Sequence, residues 1–85
     1  MKVKVLFFAN LREQLGTGVE VVDLPDSAST VAGLRMHLMR RGGAWQQVLG
    51  DMKVVRVAVN LDMAAATAPL NHGDEIAFFP PVTGG

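Results

Sequence analysis

Hydrophobic and polar residues alternate from the first positions of the chain. Val3, Val5 and Phe7 point one way and Lys2, Lys4, Leu6 and Phe8 the other, the period-two pattern of a strand with one core face. Gly16-Thr17-Gly18 is a turn signal. Val19-Glu20-Val21-Val22-Asp23-Leu24 then reads as a second strand, so the first two pair as a hairpin.

Pro25-Asp26-Ser27 ends that strand, and the period changes. Ser29 or Thr30 can cap a helix, because a short side-chain oxygen accepts from free backbone N–H groups. Val31, Leu34 and Leu38 follow at helical spacing and mark a buried stripe. Gly33 inside the helix suggests close approach to the sheet. Arg40 and Arg41 suit the negative end of the helix dipole, and Gly42-Gly43 stops the helix. Ala44 to Leu49 reads as a short helical piece with Gly50-Asp51 as its exit turn.

Val54 to Val59 is a third strand, and Leu61 and Met63 suit a short edge strand before an alanine-rich connection that reaches Pro69. Asn71-His72-Gly73-Asp74 is a turn, and Glu75 to Phe79 is the last strand. A hairpin, a crossing helix and a returning hairpin make a mixed sheet with one main helix across it. This is the α+β arrangement called β-grasp, predicted over residues 1–79, with 80–85 as an extended tail.

Composition narrows the function. A chain of 85 residues predicts one domain with a modest core and little room for a deep enzyme pocket. A hydrophobic content of 49% argues for a folded globule. The formal net charge is zero and the longest basic run is Arg40-Arg41, which speaks against nucleic acid as a partner. There is no cysteine, so disulfides, thiolate-bound zinc and a cysteine nucleophile are excluded. His37 and His72 stand far apart with no carboxylate cluster at ligand spacing, so no metal and no bound cofactor are expected. The first apolar stretch is too short for a signal peptide, and no segment reaches the length of a membrane span. A cytoplasmic protein with no membrane partner is the expectation.

The end of the chain carries the chemistry. Pro80 and Pro81 have no N–H to donate, so pairing cannot continue past Phe79, and residues before proline are pushed toward extended backbone. Val82-Thr83 leads to Gly84-Gly85, which have no Cβ. A narrow arm of this kind can thread a slot and bring a bare α-carboxylate into another protein's active site. A carboxylate is a poor electrophile until activated. Adenylation would supply a leaving group that a sulfur nucleophile could displace. A terminal Gly-Gly is also what a frayed end looks like; its place after an apolar strand and a Pro-Pro stiffener favours the functional reading.

These residues resemble a known family. Val5-Leu6-Phe7-Phe8-Ala9 with Leu11-Arg12-Glu13 looks like the opening of the molybdopterin synthase small subunit, and Ala58-Val59-Asn60 also matches. Gly73-Asp74-Glu75-Ile76-Ala77-Phe78-Phe79-Pro80-Pro81-Val82-Thr83-Gly84-Gly85 is similar to that family's terminal signature along its whole length. Pro25 to Leu49 fits by pattern only, and Asn60 to Leu70 matches loosely. The resemblance implies a β-grasp fold and a terminal glycine, Gly85, that an adenylating enzyme activates and sulfur transfer converts to a thiocarboxylate, with Gly84 as its threading neighbour. It implies that the tail enters a large synthase subunit, in a complex of two small and two large subunits. There it donates sulfur to cyclic pyranopterin monophosphate, forming the molybdopterin dithiolene. The small subunit is then not an enzyme by itself.

Two aromatic positions follow from strand parity. If Val3, Val5 and Phe7 face the helix, Phe8 faces away; if Ile76 and Phe78 are core, Phe79 faces away too. Parallel first and last strands would set Phe8 and Phe79 beside the departing tail as a partner-binding patch. Arg12 is a candidate rim contact, and equally an ordinary solvated arginine. Pro80, Pro81, Val82 and Thr83 complete the expected partner contacts. Sulfur carriers for thiamine or cysteine synthesis, a protein modifier joined through Gly85 and a plain interaction module remain the alternative functions.

Overall fold

A computed structural model describes residues 1–50 and 53–81. Five strands form one mixed sheet in the order β2-β1-β5-β3-β4, with β1 at Lys2–Phe7, β2 at Val19–Asp23, β3 at Arg56–Val59, β4 at Asp62–Met63 and β5 at Glu75–Phe79. β1 pairs antiparallel with β2 and parallel with β5, and β3 pairs antiparallel with β5 and with β4. The expected β-grasp arrangement is therefore present, with first and last strands as parallel neighbours. The third strand is shorter than the hydrophobic run suggested and begins at Arg56.

The helices are α1 at Ala9–Leu15, α2 at Val31–Met39 and α3 at Ala44–Leu49, with a single 3-10 turn at Asp26–Ala28. α2 begins as its sequence dictates: the Thr30 hydroxyl accepts from the Gly33 N–H at 3.0 Å. Its next free donors are met by the alanine-rich connection, where Ala68 and Ala66 carbonyls accept from the Val31 and Ala32 N–H groups. The 64–70 segment is thus a cap on α2, pinned by buried Leu70.

Gly33 does permit a close approach, but to a different neighbour from the one expected. A Cβ there would stand 2.5 Å from the carbonyl oxygen of Ala28, in the 3-10 turn and not in the sheet. Arg35, two positions further on, collects three carbonyls at the exit of α3, those of Leu49, Gly50 and Lys53, at 2.7 to 2.9 Å.

The core lies between the sheet and the helices. Val3, Val5 and Phe7 from β1, Ile76 and Phe78 from β5, and Leu34 and Leu38 from α2 are all buried. α1 adds Leu11 to this core. That helix did not register in the hydrophobic pattern. Trp45 packs edge-on against Phe7 with ring centroids 5.5 Å apart. Arg41 lies 4.5 Å over the Trp45 ring and makes a bidentate pair with Glu20 of β2, at 2.6 and 2.9 Å. These hydrogen bonds and the Glu20 charge raise the Arg41 pKa above its ordinary value, against the opposing effect of burial. Arg41 therefore acts as a clamp over the core edge and not only as a charge near the end of α2.

Candidate functional site

Among the described residues, one face of the sheet carries the helices and the other carries none. Strand register sets what that open face displays. Leu6 pairs with Val19 on one side and with Ala77 on the other, Ala77 pairs with Ala58, and Ala58 pairs with Met63. An apolar row therefore crosses all five strands, with Val19 and Met63 more than half exposed at its ends. On one side of the row lies Lys4, in register with Val21 and Glu75 and 3.8 Å from the Glu75 carboxylate. On the other side Phe79 pairs with Arg56.

Parallel pairing of β1 with β5 brings Phe7 opposite Phe78, and the Phe8 N–H donates to the Phe78 carbonyl at 3.1 Å. Phe8 and Phe79 are thus carried to the same edge of the sheet, as strand parity predicts. Phe8 is 48% exposed and Phe79 half-buried. The row from Val19 to Met63 was not anticipated as a unit. Alternation places Leu6 away from the core, but which residues it joins depends on register, which alternation alone does not supply.

Arg12 is exposed on α1, one turn beyond Phe8. Its stem lies along the turn into β2, where a Cβ on Gly18 would stand 3.0 Å from Arg12 Nε. Pro80 and Pro81 follow directly from β5 and line a cleft of about 660 Å³ with Asn10, Gln14, Val48 and Val54. The remaining expected contacts, Val82 and Thr83, and the expected carrier residues Gly84 and Gly85 lie outside the described residues.

Among the described residues no three His, Asp or Glu side chains group together as a metal site would require. Nor is any serine or threonine hydroxyl hydrogen-bonded to an imidazole or carboxylate there; Thr30 caps a helix and Thr17 bonds the Val19 carbonyl. His72 is engaged through Nδ1, which accepts from the Lys2 N–H at 3.0 Å. No helix among the described residues is long and apolar enough to cross a membrane. The open face thus offers an apolar surface, with Pro80-Pro81 continuing from the end of β5.

Comparison with known proteins identifies the family. The ThiS family profile matches residues 5–85. The molybdopterin synthase sulfur carrier subunit of Escherichia coli (strain K12) is 43% identical over 83 residues, covering 98% of this chain and 99% of that one. Among solved structures, the small archaeal modifier protein 1 of Haloferax volcanii aligns with a TM-score of 0.80 at 30% identity, over 95% of this chain and 98% of that one. A chain from the complex of subunits 1 and 2 of the molybdopterin-converting factor of Helicobacter pylori aligns over the full length of both chains, with a TM-score of 0.69 at 27% identity. Family profile and relatives span nearly the whole sequence, and the chain belongs to the ThiS family, among the molybdopterin synthase sulfur carrier subunits.

Proposed function

We propose that the chain carries sulfur to molybdopterin on its C-terminal glycine. The observation that carries this reading is the coincidence of two features at one edge of the sheet. The exposed aromatic Phe8 and the half-buried Phe79 border an open apolar face, and β5 runs from that edge into Pro80-Pro81 and on to Gly84-Gly85. Recognition and delivery can therefore act together: docking the face fixes where the tail starts. Four residues beyond Pro81 reach at most about 14 Å when fully extended, which sets how far the partner's reactive centre can lie from the docked face.

On this reading an adenylating enzyme attacks ATP with the Gly85 carboxylate, forming the acyl adenylate and releasing pyrophosphate. A sulfur nucleophile then displaces AMP and leaves a thiocarboxylate. Glycine at the tip leaves the carbonyl unhindered for both steps. The charged tail enters the large subunit, where its sulfur passes to cyclic pyranopterin monophosphate; the dithiolene holds two sulfurs, so two charged carriers are consumed for each product, and hydrolysis returns each as the Gly85 carboxylate. Two small and two large subunits make the working complex. The small subunit is not an enzyme by itself. Use of ATP fits the cytoplasmic setting. Phe8, Phe79 and the apolar row make the docking surface, with Arg12 at its rim and residues 80–83 lining the entry.

The test is intact mass spectrometry after incubation with the activating enzyme, ATP and a sulfur source. Exchange of one carboxylate oxygen for sulfur is expected. An unchanged mass under conditions that charge a related carrier would remove the reading.

A second reading is favoured by the likeness to a small archaeal modifier protein: joining of Gly85 to lysines of other proteins. Immunoblotting of cell extracts for higher-mass conjugates, absent when Gly85 is deleted, separates the two. A carrier for thiamine or cysteine synthesis would share the charging step but not the transfer to the pterin.

A further inference from the structure

β4 covers only the second half of β3. Ala58 pairs with Met63 and Val59 with Asp62, and the Ala64 N–H then donates to the Val57 carbonyl at 3.0 Å. There the chain leaves β3, and the Ala66 and Ala68 carbonyls go to the first N–H groups of α2. Backbone groups on a strand point to alternate sides, residue by residue. Arg56 and Ala58 turn theirs toward β5, opposite Phe79 and Ala77, as Asn60 does toward Glu75. Val57 and Val55 turn theirs outward. Among the described residues no backbone group accepts from the Val57 N–H, and neither the N–H nor the carbonyl of Val55 has a backbone partner. Further back the edge closes again, because the Lys53 carbonyl accepts from Arg35 at 2.8 Å.

A groove of about 470 Å³ runs beside this bare stretch, between β3 and α2, with Ala64 and Ala66 at one end. Met36 and Met39 of α2 line its far wall, and Met36 is 55% exposed. Methionine side chains are flexible and adapt to partners of differing shape. Arg56 stands at the lip, exposed, and among the described residues no carboxylate lies within ion-pair distance of it. No acidic side chain among the described residues lines the groove.

Three strand-edge groups, an apolar wall and a cation thus lie together, and they select the shape of what fits. A small apolar ligand, or a helix whose own backbone is already paired, would cut the edge groups off from water without bonding them. An extended chain bonds them, and its side chains alternate between two sides. Those beside Val55 and Val57 would enter the groove against α2. The one between them would stand beside Arg56, where a carboxylate makes a cross-strand pair.

We propose that the groove between β3 and α2 takes an extended segment of a partner protein, added as a strand to the outer edge of β3, with apolar side chains against Met36 and Met39 and a carboxylate opposite Arg56. The site needs only the β3 edge and α2, and stands whatever the roles of the open face and of Gly85.

The probe is a capped peptide of about six residues, the usual strand length, alternating valine with serine and carrying aspartate at the central polar position. It is titrated into the isotope-labelled full chain and followed by amide NMR and hydrogen exchange. The Val55 and Val57 amides are expected to shift and, at saturation, to exchange about tenfold more slowly, with shifts at Met36 and Met39 and none at Phe8. Arg56→Glu should weaken the peptide about tenfold, and a peptide with lysine in place of the aspartate should regain that loss on the same variant. A residue that merely supports the fold would not show this exchange of charge. Met36→Lys, at an exposed position, should weaken the peptide likewise without lowering the melting temperature. Absence of shifts at Val55 and Val57 at millimolar peptide overturns the proposal, as do shifts confined to the open face. It falls equally if these amides shift with protein concentration alone, which would make the occupant a second copy of the chain, or if folded Arg56→Glu binds both peptides as the parent does.

Discussion

Phe7 and Phe78 are register partners in the parallel pair of β1 and β5, and their rings lie 5.9 Å apart and 11° from parallel. Both are buried. Each is followed by a second phenylalanine, so the same register that joins the inner pair in the core delivers Phe8 and Phe79 to one edge of the sheet. Phe8→Ala and Phe79→Ala are expected to weaken binding of the large subunit by about 2 kcal/mol each, roughly 30-fold in affinity. Both variants should still fold, with the larger stability loss at half-buried Phe79. Calorimetric titration beside a melting curve reads both quantities. Full affinity in a folded double variant would exclude the aromatic edge as a contact.

Gly33 has no room for a side chain. The nearest atoms to its missing Cβ are the carbonyl oxygen, carbonyl carbon and Cα of Ala28, at 2.5, 2.7 and 2.8 Å, all backbone. Alanine would add up to ~1 kcal/mol of helix propensity in an open helix, but overpacking against backbone costs about 1–3 kcal/mol. Gly33→Ala is therefore expected to lower stability by about 1–2 kcal/mol. A chemical denaturation curve showing a stabilised variant would mean that the 3-10 turn shifts freely.

Residue pattern made the strands and α2 legible because each is one period of burial bounded by its own turn or cap residues, with Thr30 the clearest case. α1 was not legible. It is seven residues long, begins at Ala9 with positive φ, has no side-chain cap, and shows only Leu11 and Leu15 as an apolar repeat. Its existence depends on tertiary packing. The 64–70 segment caps α2 through backbone carbonyls, which leave no residue signature. The partners of Arg35 and Arg41 are 14 to 21 positions away in the chain, beyond any local pattern. The aromatic edge was foreseen from parity plus a parallel pairing; the apolar row needed all four strand registers. The tail was legible as chemistry, since Pro-Pro followed by Gly-Gly states its own backbone properties.

The clamp formed by Glu20, Arg41 and Trp45 should have a measurable but modest weight. Both charged side chains are about one-third exposed, so solvent screens the pair. Arg41→Met removes the ion pair and the contact with the Trp45 ring and is expected to cost about 1 kcal/mol, a fall of about 4–8 °C in melting temperature for a domain of this size. Glu20→Gln keeps the ring contact and should cost about half as much. The difference between parent and Glu20→Gln should shrink in 1 M salt, where screening acts within about 3 Å. An undiminished difference at high salt would assign the effect to packing and not to charge.

Deleting Gly85, or adding one residue after it, should abolish sulfur loading and leave the melting temperature nearly unchanged. Among the described residues the buried core runs from Val3 to Phe78. Glycine brings no side chain to it, so stability has little to lose at the last position. The chemistry has everything to lose. Activation acts on one carboxyl group held at a fixed reach from the docked face, and one residue moves that group by about 3.5 Å. Misplacement of about 1 Å can already cost 100-fold in rate. Gly85→Ala is the graded case: the reach is kept, a methyl group is added beside the carbonyl, and loading should slow without stopping. Loading is followed by intact mass and synthase activity with the large subunit. A Gly85 deletion that still gains sulfur and supports synthesis would show that the carrier atom lies elsewhere, and the proposed function would fall with it.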